Sequence, residues 1–177
     1  MYNSRIEKTS IGMIGIVECD GAITNVCFAD RGEFENIIGK DFNSDCCSGA
    51  QNQTPLLKEA FRQLHVYLVG NLKEFTLPLA PRGTQFQINV WTALQQIPYG
   101  TTVSYKHIAA MVGNPKASRA VGMANNKNPI PIFIPCHRII GSNGDLIGYR
   151  GGLELKRWLL WCENPANLVN PENPALS

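Results

Sequence analysis

Residues 128–140 read NPIPIFIPCHRII, and this stretch limits the folds open to the second half of the chain. Its prolines, Pro129, Pro131 and Pro135, exclude an ordinary helix and a central strand, because proline has no backbone N–H to donate. We therefore predict a stiff, apolar, extended segment. The tripeptide Cys136–Arg138 follows Pro135 directly, and this rigid proline can hold the cysteine sulfur in one place.

Cys136 has the immediate neighbours of a reactive thiol. The thiolate is the nucleophilic form of cysteine, and an adjacent histidine or cation lowers the pKa of the thiol. His137 and Arg138 are the next two residues. The alternative is a buried structural cysteine beside a surface His-Arg pair, which is the usual state of an isolated Cys-His dipeptide. The surrounding prolines and glycines favour the reactive thiol.

Downstream of this segment, the sequence predicts a glycine-rich turn and then a helix. Five glycines fall within residues 141–152. The helix is predicted over Leu153–Cys162, because Leu155, Trp158 and Leu159 share one helical face.

Upstream, two short helices joined by a tight turn are predicted. Ser104 is a suitable N-cap for a helix over residues 105–112, and a glycine ends it. A second helix is predicted over residues 114–125, starting at an Asn-Pro pair and carrying Lys116 and Arg119. Such a pair is typical of the DNA-binding helix-turn-helix, but also of plain helical hairpins that only pack a core.

The chain changes character at residues 79–83 (LAPRG), which are typical of a linker. Residues 1–80 carry seven Lys/Arg against ten Asp/Glu, whereas residues 81–177 carry nine against four. A basic half beside an acidic half suggests that the basic half meets phosphate, with ordinary surface charge scatter as the alternative. A helix over Gln85–Gln96, capped by Thr84, is predicted to follow the linker.

Strands dominate the prediction for the start of the chain. Met13–Cys19 and Ala22–Ala29 are apolar runs separated by Asp20-Gly21, which is a strong hairpin signal. The polar stretch Asn43–Gln53 is predicted to be a loop, and Lys73–Leu79 to be a further strand.

A helix is predicted to begin at Thr54-Pro55, since threonine is a good N-cap and proline suits the first helical position. Its apolar residues share one face, and Gly70 ends it. The apolar residues of this face are Leu57, Phe61, Leu64 and Leu68.

The composition predicts a globular protein without a membrane span, because no apolar run approaches the length of a spanning helix. The first residues, MYNSRIEKTSIG, lack the apolar core of a secretory signal, so a cytosolic or nuclear location is the default. The six cysteines are then expected to be mostly reduced thiols. There is no Cys-x-x-Cys pair and there are only three histidines, so a closed zinc site is not indicated.

Together, these motifs resemble the O6-alkylguanine-DNA alkyltransferases, also called methylated-DNA–protein-cysteine methyltransferases. The resemblance rests on residues 128–132 (NPIPI), 135–140 (PCHRII), 113–122 (GNPKASRAVG), 148–153 (GYRGGL) and the closing helix of residues 156–163. It is dense from Thr84 to Glu163 and weaker over the first 80 residues. The motifs occur in order and with compatible spacing, so the combination is highly specific.

The resemblance implies a protein that moves an alkyl group from O6 of guanine, and from O4 of thymine, in duplex DNA onto its own cysteine. Cys136 would be the acceptor, His137 would deprotonate it through a bound water, and Glu163 would orient His137. Asn128 would brace the turn that carries the cysteine. Tyr105 would donate to guanine N3 and crowd the phosphate. Transfer to sulfur would be irreversible, so each molecule would act once.

The resemblance also implies how the substrate is held. The target nucleotide must leave the base stack, and Arg119 would fill the gap while small residues let the helix approach the minor groove. The implied DNA-binding residues are Lys116, Ala117, Ser118, Arg119 and Gly122. The carbonyls of Cys136 and Ile139 would accept from the guanine amine, and the backbone N–H of Arg150 would donate to O6. The implied base pocket comprises Tyr105, Pro131, Cys136, Ile139, Tyr149 and Arg150.

The expected fold is α+β overall: an α/β N-terminal domain (residues 1–80), a mostly α C-terminal domain with a helix-turn-helix (84–165) and a tail (166–177). The expected partner is double-stranded DNA containing O6-alkylguanine. The protein is expected to be a monomer in the bacterial cytoplasm that uses neither a membrane nor a cofactor. No metal is expected either, because Cys19, Cys27 and His65 do not reproduce the ligand set of zinc-binding members.

Two alternatives from other functional classes stay open. A non-catalytic relative would bind alkylated guanine and recruit other factors, but such relatives lack the acceptor cysteine. A thiol hydrolase or redox protein with a Cys-His pair would turn over, because its covalent intermediate can be resolved.

Overall fold

The computed structural model describes residues 2–29 and 54–167, and the chain divides into two compact units between Pro81 and Arg82. The first unit contains an antiparallel sheet of three strands in the order β1 (Tyr2–Thr9), β2 (Gly12–Cys19) and β3 (Ala22–Phe28). The predicted hairpin is confirmed as β2 and β3. Asp20 and Gly21 connect them with φ of 51° and 81°, the left-handed pair that suits a tight hairpin.

Helix α1 (Pro55–Leu68) packs against β1 and β2, as its apolar face requires. The Thr54 hydroxyl accepts a hydrogen bond from the backbone N–H of Leu57 at 3.1 Å, and Gly70 follows the helix with a φ of 77°. The predicted start, buried face and end of this helix are therefore confirmed. The predicted loop Asn43–Gln53 lies outside the described residues.

The predicted strand over Lys73–Leu79 is wrong. This stretch makes one bridge, between Leu79 and Ile23, held by hydrogen bonds of 2.8 Å from Ile23 N to Pro78 O and from Ala80 N to Ile23 O. Pro78 has no N–H to extend the ladder, so pairing stops there.

The second unit is mostly helical. Helix α2 (Gln85–Gln95) begins with a full capping box between Thr84 and Gln87, and α3 (Tyr105–Met111) begins where the Ser104 hydroxyl accepts from His107 N at 3.2 Å. Helices α2, α3 and α4 (Ser118–Asn126) pack on one another, and α5 (Leu153–Glu163) closes the unit. A small parallel ladder joins β4 (Val103–Ser104) to β5 (Ile139–Ile140).

The start of α4 differs from the prediction of a helix from Asn114. The N–H of Ala117 donates to the carbonyl of Asn114 at 2.9 Å, which closes a turn, and the helix begins only at Ser118. Lys116 therefore lies in the turn and not on the helix, whereas Arg119 lies in the first helical turn. The two helices α3 and α4 are in contact across this turn.

Residues 128–140 form neither a long helix nor a central strand, as predicted, but the segment is not simply extended. Pro131 and Ile134 form a bridge across a tight turn in which Ile132 has a φ of 75°. A single 3-10 turn over Cys136–Arg138 follows and leads into β5. A β-branched residue in the left-handed region is strained, so the surrounding structure must hold this turn in place.

Candidate active site

Cys136 is the first residue of the 3-10 turn and is 2% exposed. Burial raises the pKa of its thiol, while the Asn128 amide, the Lys156 charge and the backbone N–H groups of Cys136 and Ile132 act in the opposite direction. The expectation that neighbouring cations hold this pKa low is therefore wrong for the free protein. The site keeps a neutral thiol and surrounds it with groups that favour the anion once a base removes the proton.

Asn128 braces the turn that precedes the cysteine. Its side chain donates to the carbonyl of Ile134 at 2.9 Å and accepts from the N–H of Ile130 at 3.0 Å, and the residue is 1% exposed. Both bonds lie in the strained turn that contains Ile132. Since buried hydrogen bonds are lost only at a substantial cost, Asn128 restricts the path of the chain into Cys136.

Behind the cysteine lies a buried ionic cluster. His137 Nε2 is 2.9 Å from Glu163 Oε1, and the Arg138 guanidinium donates to both oxygens of the same carboxylate over 2.8–3.1 Å. The N–H of Gly100 also donates to Glu163, at 3.0 Å. A further nitrogen of Arg138 donates to the carbonyl of Ile97 at 2.6 Å. Glu163 thus joins the end of α5 to the turn that carries the cysteine.

The charges in this cluster have defined directions. Burial by itself would raise the pKa of Glu163, but the charges and hydrogen bonds of His137 and Arg138 outweigh it and hold that pKa well below its usual range. Burial lowers the pKa of His137, with Glu163 acting only partly against it. The result is an ionised carboxylate beside a neutral imidazole, and a neutral imidazole can accept a proton.

Lys156 on α5 is a second buried cation at the site. It is 0% exposed, and its ammonium donates to the carbonyls of Ile139 at 2.5 Å and Ile147 at 2.8 Å. Burial lowers the pKa of Lys156 to about 8, and the neighbouring Cys136 acts weakly against this shift. Lys156 ties the segment after β5 to the final helix and places positive charge near the thiol.

Tyr105 connects the cysteine to the helix pair. Its hydroxyl donates to the carbonyl of Ile147 at 3.1 Å, and burial, followed by the charge of Cys136, raises the pKa of the phenol. The Tyr105 ring lies against α4, where a Cβ on Gly122 would be 3.7 Å from two ring carbons. A methyl group at position 122 would therefore be in ordinary van der Waals contact with the Tyr105 ring.

The other residues of the predicted base pocket divide by burial. Pro131, Ile139 and Tyr149 are buried, whereas Arg150 is half-buried. The Tyr149 ring meets the His137 ring edge-on, with centroids 6.4 Å apart. Asn125, which is 4% exposed, donates to the carbonyl of Cys136 at 3.3 Å.

The predicted DNA-binding residues lie at the start of α4 and in the turn before it. Lys116 and Arg119 are exposed, and Ala117, Ser118 and Gly122 are half-buried. The Arg119 side chain makes no hydrogen bond to any residue in the described part of the chain. Two groups of predicted residues thus result, one around Cys136 and one at the start of α4 and in the turn before it, and the Tyr105 ring lies beside Gly122 of the second group.

Two family models cover these features. The model described as 6-O-methylguanine DNA methyltransferase, ribonuclease-like domain, matches residues 1–81, and the model for the DNA binding domain of the same family matches residues 85–165. The chain belongs to the 6-O-methylguanine DNA methyltransferase family. Membership confirms the resemblance recognised from the motifs and the α+β class expected from it.

The chain aligns with known relatives over nearly its whole length. It is 45% identical to the constitutive methylated-DNA–protein-cysteine methyltransferase of Bacillus subtilis, over 88% of this chain and 92% of that protein. It is 42% identical to the methylated-DNA–protein-cysteine methyltransferase of Mycolicibacterium paratuberculosis, over 96% and 98%. The crystal structure of Mycobacterium tuberculosis OGT in complex with DNA has a TM-score of 0.77 at 36% identity, with 98% of both chains covered.

Sequence reasoning missed several residues that shape the site. Arg138 was noted only as a neighbour of the cysteine, although it binds the Glu163 carboxylate, and Ile132 and Lys156 were not singled out at all. Lys156 did leave a signal, because it lies beside Leu155 and three residues before Leu159 on the apolar face of its helix.

Neither a metal-binding cluster nor a membrane-spanning helix occurs in residues 2–29 and 54–167. In these ranges no three His, Cys, Asp or Glu side chains come close enough together to hold a metal ion. The same ranges contain no helix with the length and apolar character needed to cross a membrane.

Proposed function

We propose that this chain repairs duplex DNA by moving the alkyl group of O6-alkylguanine, and of O4-alkylthymine, onto the sulfur of its own Cys136. The observation that carries the proposal is the arrangement around that sulfur: a buried thiol on a braced turn, followed directly by a histidine held by an ionised carboxylate. Membership in a family named for 6-O-methylguanine supports the guanine substrate.

The thiol must lose its proton before it can attack, since a free cysteine with a pKa of about 8.5 is mostly protonated at neutral pH. His137 takes that proton through a bound water. Glu163 accepts from Nε2–H of His137, which fixes the tautomer whose Nδ1 lone pair receives the proton. Arg138 keeps Glu163 ionised, so the imidazolium that forms has a counter-ion ready beside it.

The transfer itself forms one bond and breaks one. The thiolate sulfur attacks the alkyl carbon, the bond between that carbon and O6 breaks, and its electron pair stays on the guanine. The proton taken from the thiol returns to the guanine ring at N1, so the products are guanine and a cysteine thioether. A thioether has no carbonyl for water to attack, and the reaction therefore ends with one alkyl group per protein molecule.

The substrate base is held by groups around the cysteine. The Tyr105 hydroxyl, which donates to the Ile147 carbonyl in the free protein, turns to guanine N3 and crowds the phosphate. The carbonyls of Cys136 and Ile139 accept from the exocyclic amine, and the backbone N–H of Arg150 donates to O6. Pro131 and Tyr149 are the apolar walls of the pocket.

The minor groove of the DNA binds to the start of α4. The target atom lies inside the base stack, so the nucleotide has to be extruded, and the Arg119 side chain enters the gap that it leaves. Ala117, Ser118 and Gly122 are small enough for the helix to approach closely, and Lys116 contacts phosphate. Because these contacts are largely to the backbone, binding weakens as salt rises.

The remaining features of the proposal concern organisation. Residues 1–80 and 84–165 form an N-terminal domain and a DNA-binding catalytic domain, followed by a tail over residues 166–177. The protein works as a monomer, without metal or cofactor, in the cytoplasm, where bacterial DNA is found.

The proposal is tested by the mass of the intact protein after incubation with duplex DNA containing O6-methylguanine. Wild type should gain the mass of one methyl group, located on the peptide that contains Cys136. Cys136→Ala should bind the DNA but gain nothing. Cys162→Ala is the matched control, because Cys162 is half-buried and burial, followed by the Glu163 charge, raises its pKa to about 12. If Cys136→Ala still gains the methyl group, the acceptor has been assigned wrongly.

A further inference from the structure

Met123 is a large apolar side chain exposed on the helix that carries Arg119. It is 64% exposed, whereas Val121, Ala124 and Asn125 on the other side of α4 are buried. Single exposed apolar residues are common on protein surfaces and need no explanation by themselves. Met123 differs from such isolated residues because its neighbours on the helix surface are basic.

Met123 lies within a basic stripe. Lys116, Arg119, Met123 and Lys127 follow one another at intervals of three or four residues, which places the helical members on one side of α4. All four are exposed. No Asp or Glu occurs between residues 113 and 128, and the stripe is positive along its whole length. Its chemistry fits a groove that has anionic phosphate rims and base steps against which an apolar side chain can pack, as the minor groove of duplex DNA has.

We propose that Met123 is a minor-groove wedge, a positioning residue that packs against the base step beside the extruded nucleotide. The inference rests on the proposed function and assigns a second side chain to the task of holding the duplex open. Proteins that bend DNA through the minor groove insert apolar side chains, methionine among them, between or against base steps. Met123 lies one turn after Arg119, so the cation and the thioether enter the groove from the same helix face.

The chemistry of methionine suits this position. Its side chain is unbranched and flexible, so it can adapt to the changing shape of an opened base step. Ala120 lies three residues before Met123 on the same side of α4 and is half-buried, so its small side chain leaves room for the methionine to reach the groove.

The test compares Met123→Ala with two other variants. Met123→Leu keeps the apolar bulk. Met111→Ala removes a methionine that is 40% exposed on α3, where it borders a cleft with Thr92 of α2 and with Gln96, the residue after that helix. Each variant is assayed for its single-turnover rate on methylated duplex DNA, its rate with free O6-methylguanine base, and the salt dependence of DNA affinity.

Met123→Ala should slow the duplex reaction by about fivefold to tenfold, the scale expected for losing most of one apolar side-chain contact. Its rate with the free base and the slope of affinity against salt should match wild type, because neither depends on a neutral wedge. Met123→Leu and Met111→Ala should stay close to wild type on both substrates.

The proposal is overturned if Met123→Ala repairs duplex DNA within about twofold of Met111→Ala, or if it loses equal rate on duplex and free base. A faster duplex reaction in Met123→Ala would also overturn it, since the side chain would then obstruct the groove. A wild-type protein that takes no methyl group from either substrate would refute the proposed function itself, and the wedge with it. A wild type active on free base alone would refute the wedge and the DNA contacts while leaving Cys136 as acceptor.

Discussion

Replacing Glu163 by glutamine tests the ionic cluster behind the cysteine. The carboxylate accepts from Arg138 over 2.8–3.1 Å and from Gly100 N at 3.0 Å, and it lies 2.9 Å from His137 Nε2. The Glu163 side chain is fully buried, and the Arg138 side chain is 8% exposed. Glutamine keeps the shape of the group but removes its charge, so the guanidinium loses its counter-ion inside the protein.

The expected cost follows from that burial. Removing one partner of a buried ion pair typically costs about 3–5 kcal/mol, because the other charge remains desolvated. We expect Glu163→Gln to lower the free energy of unfolding by this amount and also to slow methyl transfer, since the His137 tautomer is no longer fixed. The Arg138→Met, Glu163→Gln double variant should recover part of the stability, because no lone charge is left, while methyl transfer stays slow.

Urea unfolding under reducing conditions measures the effect, with Trp91 and Trp158, both buried in the same unit, as fluorescent reporters. Glu154→Gln on the same helix is the matched control, because Glu154 pairs with Arg157 where the two side chains are 71% and 41% exposed. An exposed pair of this kind contributes at most about 1 kcal/mol. If Glu163→Gln costs no more than Glu154→Gln, the carboxylate is not the buried counter-ion described here.

Three further outcomes are expected. Arg119→Ala should slow methyl transfer from duplex DNA far more than from the free base, because only the duplex requires extrusion at a cost of a few kcal/mol; equal losses on the two substrates would make Arg119 structural. His137→Phe should be slow at about pH 7 and recover part of the loss in rate only at strongly alkaline pH, because burial raises the pKa of the Cys136 thiol that solvent must then ionise unaided; a rate profile parallel to that of wild type would exclude His137 as the base. Burial also lowers the pKa of His137, so the folded protein binds fewer protons there than the unfolded chain. The free energy of unfolding therefore keeps its full value above the unfolded pKa of about 6.5. It decreases as the pH falls below that value, because the unfolded chain takes up the proton more readily. The Tm of wild type should therefore fall between about pH 7 and 5 more steeply than the Tm of His137→Phe, and identical slopes would contradict the assignment.

Local signals predicted most of the secondary structure correctly. The Asp20-Gly21 turn and the helix caps at Thr54, Thr84 and Ser104 act through hydrogen bonds to residues at most three positions away, so the sequence contains all that is needed to recognise them. The predicted start of α4 was wrong, because an Asn-Pro pair is compatible with a turn as well as with the start of a helix. Only the packing of α4 against its neighbours decides between the two.

The motif and the family resemblance indicated Cys136, His137, Glu163 and Asn128, but not the buried cations Arg138 and Lys156 that lie beside them. Glu163 lies 25 residues after Arg138 in sequence, and no local pattern indicates that their charges meet. The raised pKa of the Cys136 thiol depends on burial, which tertiary packing alone determines. The left-handed conformation of Ile132 could not be predicted from the sequence either, because nothing in a β-branched residue favours it.

In the proposed reaction, Cys136 is consumed by the transfer that it performs. Titration of a fixed amount of wild-type protein with increasing duplex DNA that carries a labelled methyl group on guanine O6 measures this consumption. The label bound to protein should rise to one methyl group per chain and stop there, with the label on Cys136 and none in Cys136→Ala. Continued removal of methyl groups after every chain has reacted once would contradict the proposed reaction.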